Sequence, residues 1–186
     1  LPAYAGLVQG LRIWYNDTMK LNGIEIPAHY NGIGLHDTPG AETATWGYEQ
    51  SVAHARELRA HGVTLYKLFG SGTKGSRASA YRDNGVLVLH RWWPGGAHWG
   101  KDPNEWLMPW ATYNYLIACG VSLFEPGWNE FNLQDEWVID IPDAAEIARA
   151  VVDAWTEAGA LYGGYDHLLF PSNTPGGHID HRACYR

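Results

Sequence analysis

The sequence predicts a parallel α/β fold, and three observations carry that prediction. Short β-branched and aromatic runs alternate with amphipathic stretches of helical period. The runs are apolar almost throughout, as in strands covered on both faces, instead of alternating apolar and polar. Glycine recurs where a helical stretch gives way to a run: "GVTLYK" at 62–67 and "GVSLFE" at 120–125 share one grammar.

The elements follow in order. Residues 1–28 show no βα pattern and read as a lead-in hairpin or the remnant of a preceding module; residues 29–186 carry the repeat. The first strand is "NGIGLHD", near 31–37. "GYEQSVAHARELRAHG" then sets Val52, Ala55 and Leu58 on one helical face, with Gly62 as the C-terminal cap. The second strand is "VTLYKLF" at 63–69. "GSGTKGS" after it is glycine-rich but lacks the Lys-Ser/Thr pair that opens a helix in a phosphate loop. It reads as a flexible loop, with a short helix or loop before the third strand, "VLVLHRW" at 86–92. "PWATYNYLIACG" is a helix with Pro109 in its first turn and Gly120 closing it, and "VSLFEP" at 121–126 is the fourth strand. In "DAAEIARAVVDAWTEAGA", Asp143 and Glu146 have capping-box spacing, Ile147, Val151 and Trp155 form a stripe, and Gly159 reads as the stop. "DHLLFPS" at 166–172 is the fifth strand.

A closed barrel fits better than an open nucleotide-binding sheet. "GLHDTPGAETATWG" after the first strand contains no G-x-G-x-x-G. The ends of the strands carry His36-Asp37, Lys67, His90-Arg91-Trp92-Trp93, Glu125 to Glu130 and Pro171-Ser172-Asn173, and the C-terminal rim is where barrels keep their chemistry. The expected architecture is a partial (β/α)8 barrel covering about the first five strands.

Composition narrows the partners. A net charge of -7 argues against nucleic acid, which demands a basic surface. No apolar run approaches the ~20 residues of a membrane helix, and no basic-then-apolar leader is present, so no membrane partner is expected. Cys119 and Cys184 do not make a disulfide framework, and Cys119 reads as a buried free thiol. Ten tryptophans, six of them at 92, 93, 99, 106, 110 and 128, suggest exposed rings lining a groove. Among the nine histidines, His178, Asp180 and His181 are of metal-ligating type, but the first strand ends Leu35-His36-Asp37 without the His-x-His of barrel metallohydrolases. No metal centre is expected.

The distinctive stretch is "GVSLFEPGWNEFNLQDEW", where Glu130 stands alone beyond the fourth strand. Hydrolysing a glycosidic bond takes two carboxyl groups, one of them an acid kept protonated by apolar neighbours. Trp128 and Phe131 supply such neighbours, and Asn129 offers an amide to a sugar hydroxyl. "WNEFNLQDEW" is similar to the Asn-Glu-Pro-Asn-Leu…Glu-Trp signature of the clan A glycoside hydrolases, retaining enzymes on (β/α)8 barrels that include cellulases, xylanases and β-xylosidases. "LLFPSNTPGG" resembles their fifth strand and following loop. The resemblance implies Glu130 as general acid/base, Asn129 as the residue before it, and no cofactor.

Two departures stand out. Phe131 replaces the signature's proline, and the clan's nucleophile, a glutamate ending the seventh strand, matches no residue here. A barrel of this type takes about 250 residues, so the remainder of the barrel or another copy of the protein is expected to cover the open edge. His36, Asp37, His90, Arg91, one of Trp92 and Trp93 (Trp92 taken first), and Trp128 are the expected substrate contacts. Lys67 and Glu125, equivalent in the repeated strand, are expected to pair as ions across the second and fourth strands. The implied substrate is an oligo- or polysaccharide, with secretion inferred from a polymeric substrate and a non-Met start. The rival readings are a non-catalytic carbohydrate-binding or assembly protein on a degenerate partial barrel, and a metal-dependent hydrolase.

Overall fold

The computed structural model describes residues 20–21, 24–25, 34–37, 45–72, 75–93, 95–131 and 133–171. Two short strands, β1 (Lys20–Leu21) and β2 (Ile24–Glu25), pair antiparallel. The main element is a four-stranded sheet in the order β3-β4-β5-β6, built from β3 (Gly34–His36), β4 (Leu65–Phe69), β5 (Leu87–Arg91) and β6 (Leu123–Glu125). Every pairing in it is parallel. Sequence order equals spatial order, as expected when each strand returns beside its predecessor through a helical crossover. The crossovers are α1 (Tyr48–Ala60), α2 (Gly75–Asp83), and the pair α3 (Pro103–Trp106) and α4 (Trp110–Ala118); α5 (Ala144–Tyr162) follows β6. Of the expected fifth strand at 166–172, the described residues show a single parallel bridge, between Phe124 and Leu168. The Phe124 N–H donates to the His167 carbonyl and the Leu169 N–H to that of Phe124, both at 2.8 Å.

One junction serves three helices. After α1, α2 and α4 the chain passes through Gly62, Gly85 and Gly120, all at positive φ, into a valine that opens the next strand approach. The valine N–H closes back on a carbonyl five residues earlier: Val63 on Leu58, Val86 on Tyr81, Val121 on Leu116. This satisfies last-turn carbonyls and turns the chain sharply toward the sheet. Gly120, at φ +100°, takes a backbone conformation that strains an L side chain, and a Cβ on it would also displace the Arg82 side chain, whose Cδ would lie 2.4 Å away.

The short helix or loop expected before the third strand is a helix, α2, which begins inside "GSGTKGS" at Gly75 and buries Ala78, Ala80 and Tyr81. One expectation on the helices is corrected. Gly159 does not stop the last helix, which runs on to Tyr162 and ends with Gly163 at φ +77°. Gly159 lies buried inside it because the Tyr165 ring packs where a Cβ would stand. Asp143 caps the start as expected, accepting from the Ala145 and Glu146 N–H groups at 2.9 Å.

The sheet's two faces differ. One large core joins Tyr66, Leu68, Val88, Phe124 and Leu168 of the strands to residues of α1 through α5, including Leu58, Tyr81, Trp106, Leu116 and Ile147. The other face holds a smaller cluster of Leu87, Leu89 and Leu123 with Leu65 and Leu169, and no helix contributes to it. Among the described residues, therefore, the helices lie on one side of the sheet. Burial of Leu87, Leu89 and Leu123 contributes about 2 kcal/mol each. No described helix is long and apolar enough to cross a membrane.

Candidate functional site

Strand alternation decides which rim residues can share a site. Gly34 and His36, Leu65, Lys67 and Phe69, Leu87, Leu89 and Arg91, and Leu123 and Glu125 share the leucine face by register. At its carboxyl end the apolar rows give way to charge. Lys67 Nζ lies 2.5 Å from Glu125 Oε2, and Arg91 Nε lies 3.6 Å from the same oxygen. The expected ion pair across β4 and β6 is there. Arg91 also sits 5.6 Å over the Phe69 ring, and Trp93 lies beside that ring at 5.8 Å.

Asp37 and His90 belong to the opposite side, which corrects their assignment as substrate contacts. Asp37 is buried: Oδ2 accepts from Arg77 at 2.8 Å, Oδ1 accepts from the Tyr66 hydroxyl, and the ion pair is 1–2% exposed. Tyr66 stacks on Tyr81, whose hydroxyl meets His54 Nδ1 at 2.8 Å. Burial pushes the Tyr81 phenol up to about 12. The cluster ties the end of β3 to α1 and α2. His90 is fully buried, packed on Phe124 and bonded through Nε2 to the Gly70 carbonyl at 3.1 Å. Burial lowers its pKa to about 4, which keeps it a neutral structural ring. His36 remains exposed, its Nδ1 donating to the neighbouring Asp37 carbonyl.

The tryptophans expected along a groove divide: Trp99, Trp106 and Trp128 are core, whereas Trp93 and Trp110 are exposed. Trp99, Trp106, Trp128 and Trp137 are 1–6% exposed. They are loop residues by sequence, yet the loop after β5 and the loop after β6 pack on each other through them. Trp99 contacts Trp106, Phe131 and Trp137, while Trp128 packs on Trp155. Trp128 therefore presents no face on which a sugar could stack. Of the adjacent pair, Trp92 packs against the large core and Trp93 is 39% exposed, so the ring available to a ligand is Trp93, not Trp92.

Those buried rings fix the segment carrying Glu130. The Trp99 indole N–H donates to the Asn129 carbonyl at 3.1 Å, and that of Trp137 to the Phe131 carbonyl at 2.7 Å. The Leu133 N–H closes on the Glu130 carbonyl at 3.1 Å, and the Met108 N–H on that of Pro126 at 2.7 Å. Gly127, at φ +141°, lets the turn abut α3, where a Cβ would stand 2.8 Å from the Trp106 carbonyl oxygen. Trp128 and Phe131 are sunk in the core, while Asn129 and Glu130 between them stay half-buried. The flanking rings thus anchor the turn from inside the protein.

A second carboxylate, missed in the sequence, joins this turn. Asn129 Nδ2 donates to Glu136 Oε1. Glu136 lies in a 3₁₀ turn (Gln134–Glu136), and its carbonyl accepts from the His98 and Trp99 N–H groups, both at 3.0 Å. Burial raises the pKa of Glu136; Glu130 and Asp135 add to the rise, and Asn129 and Arg91 oppose it. His98 Nδ1 lies 3.8 Å from Glu136 Oε2, but burial holds the imidazole neutral with a pKa of about 4, so the two are not an ion pair near neutral pH. The signal available in the sequence was a glutamate beside a tryptophan, seven residues past the asparagine.

No protein-family model matches the chain, and no curated protein matches it. The described residues hold no group of three or more His, Cys, Asp or Glu side chains arranged for a metal ion. His178, Asp180, His181 and Cys184 lie outside the described residues, as do Ser172 and Asn173. Cys119 is a free, partly buried thiol.

Proposed function

We propose that the chain is a glycoside hydrolase acting on O-glycosidic bonds of oligo- or polysaccharides, with Glu130 as general acid/base. The observation that carries this reading is the clamped turn: a half-buried carboxylate, held by hydrogen bonds from two buried indoles to its neighbours, just past a parallel strand's carboxyl end. Fixed geometry is what proton transfer to a bridging oxygen needs. Glu130 protonates the departing oxygen and then draws a proton from the attacking water. Asn129 and Arg91 face a neutral sugar from the same rim, His36 from the sheet edge, and Trp93 supplies a ring face.

Helices on one side of the sheet and a leucine face on the other support a partial (β/α)8 barrel, since a doubly wound sheet carries helices on both faces. The clan's second carboxylate matches no residue in this sequence. The reading has further βα units or another copy of the chain supply it and cover the sheet's open edge. A binding role without hydrolysis is favoured by one observation: Glu125, the carboxylate ending β6, is already engaged by Lys67 and Arg91.

The test is a hydrolysis screen on aryl glycosides and polysaccharides, comparing the wild type with Glu130→Gln. A loss of about 100-fold or more is expected. Activity retained in the variant overturns the assignment, and saturable polysaccharide binding without turnover selects the binding role.

A further inference from the structure

We propose that Glu136 is a positioning residue that fixes the Asn129 side-chain amide, so that Asn129 Oδ1 is presented as an acceptor to a hydroxyl of the bound sugar. An ionised carboxylate has no proton to give, so only the amide nitrogen can face it. With Nδ2 donating to Glu136 Oε1, the amide oxygen is directed away. Asn129 Oδ1 is buried and has no hydrogen-bond partner among the described residues. A buried acceptor of that kind favours a ligand O–H over an ether or a carbonyl, because leaving it unmatched costs about 1–3 kcal/mol. The Asn129 backbone cannot turn to compensate, since its carbonyl is held by Trp99.

The choice of a sugar hydroxyl rests on the glycosidase reading; the orientation of the amide does not. Glu136 is surrounded by Arg91 from β5, His98 from the following loop, and Glu130 and Asp135 from its own loop. Arg91 and the amide favour its ionised form, whereas burial and the two carboxylates favour the protonated one. Once protonated, Glu136 can donate as well as accept, and the amide loses its fixed sense.

The experiment is a pH titration of the intact chain by ¹H–¹⁵N correlation NMR, with the Asn129 side-chain NH₂ pair identified by its loss in Asn129→Asp. The pair should titrate with a midpoint above the ordinary glutamate range, and the titration should vanish in Glu136→Gln. Wild type and Glu136→Gln are then titrated with cellohexaose and xylohexaose at neutral pH. Glu136→Gln, which can offer either an oxygen or a nitrogen to the amide, should bind about tenfold more weakly with an unchanged Tm. An Asn129 pair that does not respond to pH overturns the proposal, and the wild-type titration decides this even where a variant does not fold. Equal sugar affinity of both proteins overturns it as well. If neither sugar binds the wild type, the glycosidase reading loses support while the NMR titration still settles whether Glu136 holds the amide.

Discussion

Lys67 crosses β5 between Leu89 and Arg91 to place its ammonium 2.5 Å from the Glu125 carboxylate on β6. The pair links two strands that are not neighbours, and Arg91 approaches the same carboxylate oxygen from the strand between them. One anion thus offsets two cations.

That asymmetry makes the two halves of the pair unequal. Lys67→Met leaves Glu125 with Arg91, whereas Glu125→Gln leaves two cations facing each other above the leucine face. The expected loss is about 1 kcal/mol for the first and about 2–3 kcal/mol for the second. Urea unfolding of both single variants and the double variant measures it. Equal losses would mean that Arg91 does not share the carboxylate.

Asp37 gives a sharper case, because its partners are buried with it. Asp37→Ala strands the Arg77 guanidinium away from water, and the expected cost is about 3–5 kcal/mol. Sugar affinity of the surviving folded fraction should be unchanged, since the side chain points into the core. A stable Asp37→Ala protein with weakened binding would return Asp37 to the site.

The tryptophans separate in the same way. Trp128→Ala opens a cavity between β6 and α5 and should cost about 3–5 kcal/mol in urea unfolding. Trp93→Ala removes a ring 39% exposed and should cost less than about 1 kcal/mol. In xylohexaose or cellohexaose titrations the order reverses, with Trp93→Ala the weaker binder. Unaltered binding by Trp93→Ala would remove the ring from the proposed rim.

How much of this was legible depends on which force set each feature. Helices ending in glycine and strands beginning in valine are local chemistry, so Gly62 and Gly120 were readable, and the same spacing gave the Lys67–Glu125 pair. Helix α2 stays open between short helix and loop in the sequence because its buried face includes Arg77, whose burial makes sense only with Asp37 forty residues away. Gly159 misled for a similar reason: its smallness serves the Tyr165 ring, not a helix end. In the site, strand ends marked the rim, but the facing of His90 and Asp37 follows from a register fixed between strands. The loop tryptophans are buried because two loops pack together, which no periodicity within either loop records. Glu136 was overlooked because its partner, Asn129, meets it only after the turn has folded back.

Buried neutral histidines give the last prediction. The His90 and His98 imidazoles are held at about 4 by burial, against 6.5 in an unfolded chain. Between those values the unfolded chain takes up a proton at each site and the folded one does not, so stability is full above pH 6.5 and falls as pH drops toward 4. A displacement of that size corresponds to roughly 3 kcal/mol per ring. Glu136 works in the opposite sense over its own range, since its raised pKa favours the folded state at low pH, so the measured fall should be somewhat smaller. Urea unfolding at pH 7.0, 6.0, 5.0 and 4.5 (about half-unit to one-unit steps across the window) gives the slope. Replacing His98 by Phe should reduce that slope by up to one proton, because the ring no longer titrates in the unfolded chain. A wild-type stability that stays flat from pH 6.5 to 4.5 would mean that both imidazoles take up a proton in the folded protein as they do in the unfolded chain, and for His98 that the Trp99 and Trp106 rings packed on it leave it open to water.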